Sequence, residues 1–229
     1  VMRPGAPQKA FTKDELAESR RNYGSDYLTC LISIEKFERA SPLFSFRFYR
    51  HQIGKPELSN HETVRHYLMG GHVDGPHGTA LYDDEWYMAR YGDELSVGTE
   101  PYHKHRSGIQ HFLDEGVHKG FSPIPDFDDE FYVKANRKVA KEIGPGIFHR
   151  PIHHFLGNLA TPDLKPNPYF DPVFYLDENP DARKEMESWG LLHPLEHFLH
   201  VGYARGWRAN PPLMQVSIPR DFAKATFER

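Results

Sequence analysis

Glu196-His197-Phe198-Leu199-His200-Val201-Gly202, with Gly206 four residues on, decides how this chain is read. Its core recurs as His66-Tyr67-Leu68, His111-Phe112-Leu113 and His154-Phe155-Leu156, and the intervals from histidine to histidine are 45, 43 and 43 residues. Self-similarity at such a period marks tandem supersecondary units, each too small to bury its apolar face alone. The helix stop recurs as well. Gly71 and Gly75, Gly116 and Gly120, and Gly202 and Gly206 lie five and nine residues beyond their histidines. The first glycine of each pair is expected to take the left-handed conformation that ends a helix. The third copy departs, with Leu159 and Asp163 at those places, so its helix should end differently.

Each unit opens on an aromatic pair: Phe48-Tyr49, Trp86-Tyr87, Phe131-Tyr132 and Phe174-Tyr175. Asp83, Asp128 and Asp171 precede the last three pairs by three residues and are natural N-caps, since a carboxylate accepts from the open N–H groups of a first turn. Pro172 then occupies the favoured first helical position. Asn179-Pro180-Asp181-Ala182 starts a middle helix running to about Trp189, Gly190 stops it, and Pro194 starts the closing helix. The first unit is degenerate. Leu43-Phe44-Ser45 lacks the capping aspartate, and Tyr49 to His66 is 17 residues. An atypical terminal copy is expected of a capped array.

The expected fold is therefore all-α: a tandem array of about four three-helix repeats of about 43 residues, led by an N-terminal helical cap. The expected boundaries are a lead-in and cap over 1–40, an array over 41–212 (units at about 41–79, 80–124, 125–168 and 169–212), and a tail or linker over 213–229. Within the cap, Thr12-Lys13-Asp14-Glu15 fits a capping box ahead of a helix over 13–22. Tyr27, Leu28, Leu31, Ile34 and Phe37 lie at helical spacing in a second helix over 26–39. Cys30 falls among them and reads as a small buried hydrophobe.

Composition narrows the function. Mean hydropathy is -0.67, yet aromatics make up 14% of the chain, so the chain reads as folded around rings. A net charge of -4 offers no field for a phosphate backbone, which argues against nucleic acid. No apolar run approaches the roughly 18 residues of a membrane span. The single cysteine excludes an intramolecular disulfide and any cysteine-rich metal framework. These features fit the cytoplasm or the cytoplasmic face of an envelope. Secretion stays open, because the chain reads as a piece of something longer.

Phe170-Asp171-Pro172-Val173-Phe174-Tyr175-Leu176, Asn179-Pro180-Asp181-Ala182, Pro194 through Gly202, then Gly206-Trp207-Arg208 and Asn210-Pro211 together resemble a bacterial tandem repeat. That repeat reads roughly Phe-Asp-x-x-Tyr-Tyr-Leu-x-x-Asn-Pro-Asp-Val, then Pro-x-x-His-Tyr-x-x-x-Gly and a Gly-Arg-x-Pro exit. It is found beside glycosyltransferase, rhamnan-synthesis and related cell-surface polysaccharide domains. The resemblance covers about 41–212 and is closest in the last unit; unit three carries Asn136-Arg137-Lys138-Val139 in place of Asn-Pro-Asp-Val. It implies a neighbourhood, surface glycan synthesis or handling, and carries over no catalytic residue. The implied partners are a polysaccharide or a glycan-handling enzyme. If the chain belongs to an enzyme, it is expected to be a glycosyltransferase accessory region, and no cofactor is expected.

Candidate site residues follow from chemistry. The four repeated histidines read as a metal ladder or general base, or as joints donating to a carbonyl of the next unit. The joint is the expected role, because a group needed in every unit is architectural. His149 and His153 are four apart and are the candidate metal pair, with Pro151 between them opposing a shared helical face. His103 and His105, two apart in a loop-like stretch, fit no better. Asp83-Asp84 and Asp128-Asp129 are adjacent pairs, unlike carboxylates facing across a cleft. The sequence has no Gly-rich phosphate loop and no nucleophile elbow. Exposed rings remain, since the apolar face of a sugar packs on them. Tyr49, Tyr87, Tyr132 and Tyr175 are expected to line a groove, with Phe48, Trp86, Phe131 and Phe174 packed in the core. Trp207 and Arg208 are the candidates for a further ligand platform. Two functions stand: a non-catalytic module of polysaccharide machinery, or a protein–protein scaffold.

Overall fold

The computed structural model describes residues 43–67, 78–96, 108–125, 127–143, 148 and 150–211. The expected helices over 13–22 and 26–39, Cys30, Gly71, Gly75, His103, His105, His149 and the tail over 213–229 lie outside these residues.

The described chain is helical. In order come α1 (Phe46–Gln52), α2 (Asn60–His66), α3 (Asp84–Ser96) and α4 (Gly108–His111), which continues through a π-helical turn (Phe112–Gly116) into Val117–Lys119. Then follow α5 (Asp129–Ala135), a 3-10 turn (Val139–Lys141), α6 (Pro151–Gly157), α7 (Pro172–Glu178), α8 (Pro180–Trp189) and α9 (Pro194–His197), which runs into a second π turn (Phe198–Gly202). Extended pairing among the described residues is confined to two isolated bridges, Ile143 with Phe148 and Asn167 with Phe170. No described helix is long and apolar enough to cross a membrane.

The opening helices start as the sequence indicates. Asp83 accepts from the Trp86 N–H at 2.9 Å, Asp128 from Phe131 at 2.8 Å, and Asp171 from Val173 and Phe174 at 3.1 and 3.2 Å. Where the aspartate is missing, Ser45 takes its place and accepts from Phe48 at 3.2 Å. Each capping residue also has its own N–H tied far downstream. Ser45 donates to the Gly78 carbonyl (2.8 Å), Asp83 to Pro123 (3.0 Å), Asp128 to Pro166 (3.3 Å) and Asp171 to Ala209 (2.9 Å). The bond joins the start of an opening helix to the connector beyond the closing one. Asn136 and Asn179 form a second clasp. Their amides donate to the Tyr132 and Tyr175 carbonyls and also to the Lys165 and Arg208 carbonyls.

One ring contact recurs through the core. The second ring of each opening pair meets the aromatic that follows the histidine, edge to face. Tyr49 and Tyr67 are 5.5 Å apart at 83°, Tyr87 and Phe112 5.8 Å at 83°, Tyr132 and Phe155 5.8 Å at 76°, and Tyr175 and Phe198 5.6 Å at 78°. That geometry lets the positive edge of one ring meet the negative face of the other.

The two ends of the described chain meet. Arg47 on α1 donates to the Glu187 carbonyl on α8 (3.0 Å), and the Ser45 hydroxyl donates to the Gly190 carbonyl (3.3 Å). Gly190 adopts φ +73 to end α8, and a Cβ there would press on Arg47 at 3.1 Å. At the other side of the last stretch, His193 donates through Nε2 to the Leu164 carbonyl at 3.0 Å. Removing one capping carboxylate should cost more than removing its neighbour. Asp128→Ala is expected to lower stability by about 1 kcal/mol. Asp129→Ala, which loses only an exposed pair with Arg150, should cost under about 0.5 kcal/mol. Urea unfolding of both variants reads the difference.

Candidate functional site

The recurring histidine and the recurring tyrosine find each other. Tyr49 Oη lies 2.9 Å from His66 Nδ1, Tyr87 Oη 2.8 Å from His111 Nδ1, Tyr132 Oη 2.8 Å from His154 Nδ1, and Tyr175 Oη 2.7 Å from His197 Nδ1. In the last two stretches the far side of the imidazole meets a carboxylate twelve residues upstream. His154 Nε2 is 3.2 Å from Glu142 Oε2, and His197 Nε2 is 2.9 Å from Glu185 Oε2. In the second stretch Glu115, on the same helix, stands 3.8 Å from His111 Nε2. The Glu185 carboxylate also accepts from Arg205 at 2.7 Å.

The proton positions follow from what each group can do. A carboxylate only accepts, so Nε2–H donates to glutamate, and the neutral ring accepts at Nδ1 from the phenol. Burial pushes the Tyr49 hydroxyl up to about 12 and raises those of Tyr87, Tyr132 and Tyr175 further, so each stays a donor. Burial also holds His197 below its ordinary value, partly offset by Glu185. Burial alone would raise the Glu185 carboxyl, but hydrogen bonds from His197 and Arg205 bring it below the ordinary range. The chain of bonds orients side chains. Its phenols do not ionise near neutrality, and all four tyrosines are fully buried.

The glycines explain why the rings fit. A Cβ at Gly116 would lie 2.5 Å from Tyr87 Oη, and a Cβ at Gly202 would intrude on Tyr175 Oη. Both glycines close π turns and have ordinary negative φ or helical geometry. The expectation that the first glycine of each pair is the left-handed stop is therefore corrected. The second glycine does that work, at Gly120 (φ 79) and Gly206 (φ 70). The first is small because the tyrosine hydroxyl occupies the space its side chain would fill. In the third stretch the buried Leu159 replaces it, and α6 ends at Asn158 without a π turn.

Two further expectations are revised. The repeated histidines were expected to donate to a carbonyl of the next unit; His154 and His197 bond within their own stretch, and the bond to a neighbouring stretch comes from His193. The tyrosines of the aromatic pairs face inward, so they do not line a groove. The first rings lie nearer the surface. Only Phe48 is fully buried, whereas Trp86, Phe131 and Phe174 are half-buried. Helix geometry accounts for this, since adjacent residues point about 100° apart and the bond to histidine selects the tyrosine.

The platform at Trp207 and Arg208 is divided. His197 stacks on Trp207 at 5.4 Å, and the Arg205 guanidinium stands 5.1 Å from its centroid. Arg208 instead covers Phe174 at 5.3 Å and pairs with Glu178 at 3.0 Å. A similar arrangement sets Arg90 at 5.9 Å from Trp86. Among the described residues no group of three His, Cys, Asp or Glu side chains is arranged to hold a metal ion. His153 sits on α6 beside His154. Sequence reading identified both partners of the joint but missed their pairing. The nearly constant tyrosine-to-histidine separations of 24, 22 and 22 residues carried that signal. Glu142 and Glu185, 43 residues apart, would emerge from aligning the chain with itself at the 43-residue interval of the last two histidines.

Comparison with family models, curated proteins and solved structures returned no match.

The joint predicts a specific coupling. Tyr175→Phe leaves a buried imidazole acceptor unpaired and should cost about 1–3 kcal/mol. Gly202→Ala overfills the same space and should cost about 1–3 kcal/mol. In the double variant the missing hydroxyl makes room for the methyl, so the loss should be smaller than the sum of the two. Thermal or urea unfolding of the four proteins measures it, and strict additivity would contradict the shared space.

Proposed function

We propose that this chain is a non-catalytic module of four three-helix repeats, associated with bacterial surface polysaccharide machinery, that binds glycan or positions a glycan-handling enzyme. One observation carries the reading: half-buried rings are paired with arginines, Trp86 with Arg90 and Phe174 with Arg208. An aromatic face suits the apolar face of a pyranose, and an adjacent guanidinium suits the carboxylates of an acidic polysaccharide. The repeated tyrosines and histidines are engaged with each other, which leaves contact with a ligand to these outer groups. The link to polysaccharide assembly rests on the repeat pattern around Phe170–Gly202, and the proposed place of action is the cytoplasmic face of the envelope.

A protein–protein scaffold is the second reading, favoured by the exposed apolar side chains of Met88, Val173 and Leu192. Affinity electrophoresis against anionic and neutral bacterial polysaccharides separates the two. Retention by an anionic polymer is expected. The variant Phe174→Ala/Arg208→Ala should weaken it about tenfold, a loss on the scale of one stacked ring with its cation. No retention by any polymer, with a protein partner held through Met88, Val173 or Leu192, would establish the scaffold instead.

A further inference from the structure

Four rings stack in a column that runs from the last stretch of the chain to the first. Trp207 lies on His197 (5.4 Å, 22°), His197 on Trp189 (5.5 Å, 10°), and Trp189 on His51 (4.5 Å, 18°). His200 stands edge-on at the same seam, 5.5 Å from Trp189 and 4.6 Å from Phe48. Three imidazoles therefore meet where α1 is docked on α8 and the π turn after α9. Polar bonds across the seam are those of Arg47 and Ser45 to the Glu187 and Gly190 carbonyls.

Charged and titratable groups face this seam from several elements. From α1 come Arg47 and His51. From α8 come Glu185 and Glu187, from α9 and its π turn His197 and His200, and from the turn beyond it Arg205. Tyr175 on α7 occupies His197 Nδ1. Glu185 is the carboxylate nearest the imidazoles, and it already accepts from both His197 and Arg205. A proton added to His200 meets His51, His197 and Arg205, and the Glu185 carboxylate that opposes them is already engaged.

We propose that this junction is an acid-sensitive latch: below neutral pH, protonation of His200 and His51 releases α1 from α8 and α9, exposing Phe48 and Trp189 while the middle of the chain stays folded.

Burial holds His51 and His197 below their ordinary value. It takes His200 to about 4, with His51, His197 and Arg205 adding to the effect and Glu185 partly offsetting it, as it does at His51. The sign follows. A histidine depressed in the docked state contributes its full stability above the unfolded value of 6.5 and loses it as pH falls toward the docked value. Each such group raises the opening equilibrium by up to about tenfold per pH unit in that window. The other joint of the last stretch is buffered. His193, at about 3, behaves like His200. Glu196 beside it, raised by burial to about 7, binds a proton in the folded state and stabilises as pH falls from 7 to 4.5. At the α1 seam the acid beside the histidines, Glu185, is held below its ordinary value by His197 and Arg205 and takes up no compensating proton, so this seam opens first.

Hydrogen exchange of the full chain, followed by mass spectrometry from pH 7.5 to 4.5 and corrected for intrinsic rates, tests this. Peptides covering 46–52 and 180–189 should lose about tenfold or more in protection per pH unit below 6.5, while a peptide covering 151–157 keeps its protection. His51 is exposed, so His51→Gln should fold normally and reduce the loss at pH 5 by less than a fully buried imidazole would. His200→Gln should reduce it by up to about tenfold, and a folding defect in that variant leaves the unsubstituted chain and His51→Gln to decide. Protection at 46–52 that ignores pH, or that falls in step with 151–157 as one transition, overturns the latch. So does His51→Gln with an unchanged profile.

Discussion

The hydrogen bond from a buried tyrosine to the recurring histidine is the constraint on which the rest of this structure depends. It occurs at 2.9, 2.8, 2.8 and 2.7 Å in four successive stretches of the chain. Each bond joins an opening helix to a closing helix across 17 to 24 residues. A polar pair in an aromatic core is costly to leave half-made, so the two helices have one register rather than several. The edge-to-face ring contact beside it supplies apolar area, and the hydrogen bond selects which ring goes inward.

The other recurrent features serve that bond. The small residue at the π turn leaves room for the phenol hydroxyl, at Gly116 and Gly202. π-helical turns are uncommon and often mark functional positions; here the function is architectural. The aspartate or serine cap fixes the first turn, so that the tyrosine four residues later points at the histidine. The third stretch shows how far the scheme bends. It keeps Tyr132, His154 and Glu142, yet carries Leu159 and no π turn.

The first and last stretches of a helical chain could have stayed apart. Instead α1 lies against α8, and the seam between them gathers imidazoles around a glutamate, Glu185, already engaged by His197 and Arg205. Phe48 is consequently sealed, while its counterparts Trp86, Phe131 and Phe174 stay half-exposed beside the surface. The same repeated position thus serves as a seam in one stretch and as outer surface in the others, where the proposed ligand contacts lie.

The sequence by itself determined the helical class, the period, the aspartate caps, the stop at Gly190 and the start at Pro194. All of these are local: a carboxylate three residues before a ring, a proline at a first turn and a glycine after a last turn act within one turn of helix. Only the tertiary structure decided which ring of each pair is buried, which glycine of each pair turns left-handed, and that Glu142 and Glu185 complete the histidine bonds. It also decided that the first and last stretches touch. These depend on groups 12 to 145 residues apart, and an orientation such as that of Tyr175 is set by the partner it reaches, His197, rather than by its neighbours in the chain.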